Sequence, residues 1–133
     1  MFKLVRIENS RMNVPEPLFY EATADEDIAV GEALVLTSGK LTKCGATAKP
    51  AYIAMSACAA SASVRKIAVC RVEANQIWEV PCNAAPTSLV PGSLVTLHTD
   101  GLQVTATTTS GVVTVVDTNG ASAAGDRLLV RIA

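Results

Sequence analysis

Regular punctuation by turn residues limits how this chain can fold. From Phe19 onward, short apolar runs alternate with glycine- and polar-rich clusters, a spacing that suits strands and turns rather than helices. Ala33-Leu34-Val35-Leu36 passes through Thr37-Ser38-Gly39 into Lys40-Leu41-Thr42-Lys43, which reads as a hairpin. Leu94-Val95-Thr96-Leu97-His98, Thr99-Asp100-Gly101 and Leu102-Gln103-Val104-Thr105 repeat the same grammar. Turn signals every ~8–12 residues predict an all-β fold, a small β-barrel or sandwich of about 8–10 short strands.

The remaining segments fit this reading. Phe19-Tyr20-Glu21-Ala22-Thr23 is β-prone, and Tyr52-Ile53-Ala54-Met55 reads as a strand followed by a loop, because residues 57–62 are helix-compatible but too short to hold a helix alone. Residues 64–72 and 77–80 are predicted strands, joined by Glu73-Ala74-Asn75-Gln76 as a four-residue hairpin loop. A Pro-rich connector, residues 83–91, leads to the last strands, with a turn at Asp117-Thr118-Asn119-Gly120. The two similar hairpins make a weak duplication of residues 28–82 and 92–133 conceivable.

The first twenty residues read differently. Arg6, Glu8, Arg11 and Glu16 interrupt the apolar residues, and Val14-Pro15-Glu16-Pro17 is held extended, since each proline fixes its own φ and pushes its predecessor out of the helical region. Residues 1–20 are therefore predicted to be an extended N-terminal arm, and residues 21–133 a single β domain. In that arm Leu4, Val5, Ile7, Val14, Pro15 and Pro17 are the candidate partner-binding residues.

Composition enters mainly by exclusion. With 133 residues the chain fits one domain, and surface scaling predicts about 6,600 Å² exposed when folded. Eleven basic against twelve acidic residues, with neither sign in a block, give no electrostatic footprint for nucleic acid. One histidine and no Cys-x-x-Cys pair leave no ordinary metal set, and no cofactor motif is present, so neither metal nor cofactor is expected. No apolar run is long enough for a membrane span, and the Lys3- and Arg6-bearing start lacks a signal-peptide pattern. Cys44, Cys58, Cys70 and Cys82 are expected to be reduced packing thiols.

Candidate chemistry is thin. His98 lies two residues from Asp100 in a turn, but no Gly-x-Ser-x-Gly elbow accompanies the serines, so a surface or structural histidine is expected and the chain is predicted not to be an enzyme. Asp25, Glu26 and Asp27 fall in a turn, where solvated charge is the default. Trp78, the only tryptophan, is either the main large core residue or an exposed anchor for a carbohydrate or protein ligand. The hydroxyl-rich run of residues 105–110 suits an exposed strand face or a subunit contact.

The Pro-containing stretch Asn13-Val14-Pro15-Glu16-Pro17, the hairpin from Ala29-Val30-Gly31 to Leu41, the strands at Arg71-Val72 and Glu79-Val80, and the ending Ala124-Gly125-Asp126-Arg127-Leu128-Leu129-Val130-Arg131-Ile132 together resemble the small head decoration and capsid-stabilising proteins of tailed bacteriophages and prophages. The resemblance is one of order and style over nearly the whole chain. It implies a non-enzymatic virion structural protein made in the bacterial host cytoplasm. Such a protein binds the outside of the major capsid protein shell, as a homo-oligomer with a trimer favoured, and its terminal arm contacts the shell. The competing reading is a small carbohydrate- or protein-binding β module of a tail fibre or cell-surface apparatus, which requires an exposed Trp78 beside Tyr20 or Tyr52 in a groove.

Overall fold

The computed structural model of the protein describes residues 1–11 and 14–132. Among these, ten strands form two five-stranded antiparallel sheets. Sheet A has the spatial order β1 (Lys3–Ile7), β7 (Gln76–Pro81), β10 (Arg127–Arg131), β9 (Val113–Asp117), β8 (Leu94–Val95). Sheet B has the order β2 (Leu18–Glu21), β6 (Lys66–Arg71), β5 (Tyr52–Ala54), β3 (Ala33–Thr37), β4 (Lys40–Lys43). The fold is a small sandwich and not a closed barrel. Its exposed surface, 6620 Å², matches the scaling for a folded chain of this size. No helix among the described residues is long and apolar enough to cross a membrane.

Strand alternation divides the apolar residues between two cores. Trp78 and Val80 of β7, Val113 and Val115 of β9, and Leu128 and Val130 of β10 point inward from sheet A and meet Ala33, Ile53 and Cys70 of sheet B. The opposite face of sheet B buries Leu34, Leu41, Tyr52, Ala54, Ile67 and Val69 in a second core. Sheet B curls around this second core until its edges touch: Ala22 lies beside Leu41 in a parallel bridge, and the Thr23 N–H donates to the Leu41 carbonyl at 2.9 Å. Tyr20 and Tyr52 meet there edge to face, with ring centroids 5.2 Å apart.

Turn chemistry sets the β3–β4 hairpin. Thr37 pairs with Lys40, leaving Ser38 and Gly39 as a two-residue loop whose φ values, 51° and 78°, are those of a type I′ turn. The second, similar segment is built differently: Leu94–Val95 pairs with β9, while Leu97 meets Val104 in a single bridge.

Three sequence readings are corrected. The link 72–75 does not close a hairpin, because β6 belongs to sheet B and β7 to sheet A; the chain arches from one sheet to the other, with Gln76 N–H donating to the Glu73 carbonyl at 3.2 Å. Residues 105–110 form no strand; Thr96 and Thr105 share a 2.7 Å hydroxyl contact and residues 107–110 are an exposed loop. Nor do residues 1–20 lie wholly outside the core. Lys3–Ile7 is an edge strand of sheet A, Leu18–Glu21 an edge strand of sheet B, and Phe2 is buried. Of the charges that suggested an arm, Arg6 is exposed on edge strand β1, where polar residues are the rule, while Glu8, Arg11 and Glu16 lie outside the strands. Met12 and Asn13, also assigned to the arm, lie outside the described residues.

Candidate functional site

The large apolar side chains gather at one place. Leu4 pairs across from Trp78 at the edge of sheet A, and both face the Cys70 and Ile53 side of sheet B. Pro15, Val30 and Met55 complete an apolar cleft of about 240 Å³ in which no lining side chain is charged. Glycine is required at its rim: Gly31 has φ 76°, and a Cβ there would stand 2.6 Å from Met1 Cβ and 2.8 Å from the Phe2 carbonyl oxygen. The Phe2 N–H donates to the Gly31 carbonyl at 2.9 Å, stitching the start of the chain onto the loop before β3.

The cleft continues into an exposed band. Phe19 pairs with Ala68, and the Met55 N–H donates to the Ala68 carbonyl at 2.8 Å, so these three residues lie side by side on the face of sheet B that looks toward sheet A. Sheet A does not cover them fully: Phe19 is 64% and Met55 40% exposed.

The sequence-selected residues therefore divide. Leu4 and Pro15 line the cleft together with Trp78. Val5 is exposed at the β1 bulge, Ile7 is half-buried at the strand end, and Val14 and Pro17 are exposed before β2. Trp78 is not an exposed anchor: it is 3% exposed, its Nε1–H finds no acceptor among the described residues, and it belongs to the first core. Tyr52 belongs to the second core on the other face of sheet B and Tyr20 packs against that core, so the groove of an exposed Trp78 with either tyrosine, required by the ligand-binding module, does not form. Val30 and Met55, which sequence reasoning passed over, supply much of the rim; their only sequence signal was adjacency to a glycine and to a strand end.

Polar groups elsewhere act as fasteners. His98 Nδ1 stands 3.1 Å from the Asp100 carboxylate, which also accepts the Leu102 N–H at 2.8 Å and the Gln103 amide at 2.9 Å, closing the turn. Burial tends to raise the Asp100 pKa, but these hydrogen bonds outweigh it and hold the carboxyl below its ordinary value. Glu26, part of the acidic turn, accepts the Thr42 hydroxyl and the Lys43 N–H. Arg65 clamps the Thr23, Glu26 and Ala59 carbonyls. Glu32 is almost wholly buried; one oxygen accepts the Ala29 N–H at 2.7 Å and the other stands 3.7 Å from Lys43 Nζ. Burial pushes its carboxyl pKa up, with Ala29 and Lys43 opposing.

The four cysteines are free thiols in this structure: Cys44, Cys70 and Cys82 are buried and Cys58 half-buried. Burial pushes the Cys44 thiol up to about 11. Among the described residues no group of three or more His, Cys, Asp or Glu side chains is arranged to hold a metal ion.

The fold and cleft together define a class: a two-sheet antiparallel β-sandwich whose distinctive surface is an apolar, uncharged opening between its sheet edges. No family model and no curated protein matches the sequence. Among solved structures, the chain is similar to the N base of the head fiber gp8.5 of bacteriophage phi29, with a TM-score of 0.59 and 14% identity over 89% of this chain and 95% of that one. At that identity the likeness is one of fold.

Proposed function

We propose that this chain is a phage virion structural protein that decorates or stabilises a capsid shell through non-catalytic protein–protein contacts. The observation that carries this reading is the fold likeness to a piece of a phage head fiber, which runs over nearly the whole of both chains. The sequence style of small head proteins points the same way. The chemistry agrees with it: the single histidine is engaged in a turn with Asp100, and the conspicuous surface is apolar. In this role the protein acts as a homo-oligomer, a trimer favoured, on the major capsid protein shell, and repetition over the shell multiplies weak contacts into firm attachment.

The test is direct. Purified virions of the phage or prophage that encodes the chain are analysed by mass spectrometry, and the purified protein is co-sedimented with emptied heads of that phage. The expected result is a virion component present in many copies that binds heads saturably. Absence from virions together with no co-sedimentation would overturn the reading.

A further inference from the structure

We propose that the cleft floored by Trp78 is the socket by which one copy of this chain receives Phe19 of another. The chain is poor in large apolar residues, yet Met1, Phe2, Phe19, Met55 and Trp78, five of its six Phe, Met and Trp residues, converge on this region. The sixth, Met12, lies outside the described residues. Of these, Met1, Phe19 and Met55 are exposed, and exposed apolar surface gathered in this way marks an interface.

Three observations select a second copy as the occupant. The socket is uncharged, so it calls for an uncharged apolar side chain, and its volume of about 240 Å³ suits one bulky ring. The matching knob is on the same molecule: Phe19 is 64% exposed, the most exposed aromatic side chain of the chain's described residues. Knob and socket also share one face, Phe19 lying two strands from Met55 at the socket rim, a separation of roughly 9–10 Å by strand spacing. A surface carrying both a projection and its complement can pair reciprocally or, with the second copy rotated, repeat around a closed ring. The outer edge of β1 is a poorer site, since its bulge and its Lys3 and Arg6 are the features that discourage strand addition.

This contact deepens the proposed virion role by naming the subunit interface, but it stands or falls separately, because self-association is measured without shells. Sedimentation velocity on the full chain, over a range of concentrations, is expected to show reversible oligomers. Phe19→Glu should weaken association about thirtyfold or more, as loss of a central hot spot does. Val90→Glu, at an exposed site beside the β8–β9 end of sheet A, should leave association unchanged. As a check that does not depend on the variant folding, a photo-cross-linking phenylalanine analogue at position 19 should label the peptide carrying Met55 or Pro15 in another copy. A wild-type chain that stays monomeric at all concentrations would overturn the proposal. So would an unweakened Phe19→Glu oligomer or cross-links that fall elsewhere. Self-association with neither head binding nor presence in virions would leave this contact standing and overturn the capsid role.

Discussion

Leu4 of β1 lies directly across from Trp78 of β7, so the start of the chain closes one side of the first core. The only tryptophan is shielded there by a strand that pairs with nothing else among the described residues except β7.

Removal of residues 1–17 should therefore damage the fold itself. The deletion strips an edge strand, buried Phe2 and the Leu4 contact, and losing even one large buried apolar side chain costs about 2–5 kcal/mol. That is a large part of the roughly 5–15 kcal/mol by which domains are stable. Thermal unfolding followed by circular dichroism is expected to show a strongly lowered Tm or no cooperative transition, with Trp78 emission shifted to the red. A truncated chain that melts like the intact protein would show that β1 contributes little.

Gly111 should be harder to replace than Gly120. A Cβ at Gly111 would meet the Leu94 carbonyl carbon at 2.4 Å and the Val95 nitrogen at 2.6 Å, both backbone atoms that move only if β8 moves. Gly111→Ala is expected to cost about 1–3 kcal/mol, the range for overpacking. Gly120→Ala meets open space and pays only for its φ of 72°, about 1 kcal/mol. Denaturant midpoints of the two variants decide the order.

Glu32 and Asp100 should give opposite pH dependences. The folded chain holds the Glu32 proton more tightly than the unfolded chain does, because burial raises its pKa above the ordinary 4.5. Its contribution is full below that value and is lost as pH rises through the raised folded pKa. Relative to Glu32→Gln, the wild type should thus lose stability as pH rises from the ordinary 4.5 through the raised folded pKa. Asp100, held below its ordinary 3.8, contributes above that value and loses its contribution as pH falls toward the folded pKa. Equilibrium unfolding of the wild type, Glu32→Gln and Asp100→Asn across this range measures both slopes.

Thiol reactivity should separate the cysteines. Cys58, half-buried beside Arg65, is expected to react first with a disulfide reagent, while buried Cys44, Cys70 and Cys82 react only on unfolding. Counting labelled thiols by mass spectrometry before and after denaturant tests this; rapid labelling of Cys44 in the folded protein would contradict its burial.

Much of the fold was legible locally. The Ser38-Gly39 turn, the strand at Tyr52–Ala54 and the loop after it follow from turn residues and short apolar runs. The candidate site was legible only in part. Leu4, Pro15 and Trp78 were each singled out, but as arm residues and an exposed anchor and not as walls of one cleft. Their meeting depends on β1 docking against β7, more than seventy residues away, and no local pattern reports a pairing of that range. Glu32 was invisible for the same reason: a glutamate after a glycine looks solvated until Gly101 packs over its side chain.

The order of residues alone set where this chain extends and where it reverses, because backbone conformation at glycine, proline and short apolar runs is a local matter. It also determined that the core would be made of small side chains, since few large ones are present. Which sheet each strand joins was settled in three dimensions. The four-residue link after β6 serves a hairpin or an arch equally well, and a strand with apolar residues on both faces, such as Tyr52–Ala54, fits a middle layer only when two cores exist to receive it. Those choices were made by long-range burial, which put the first strand beside the seventh and left Phe19 outside.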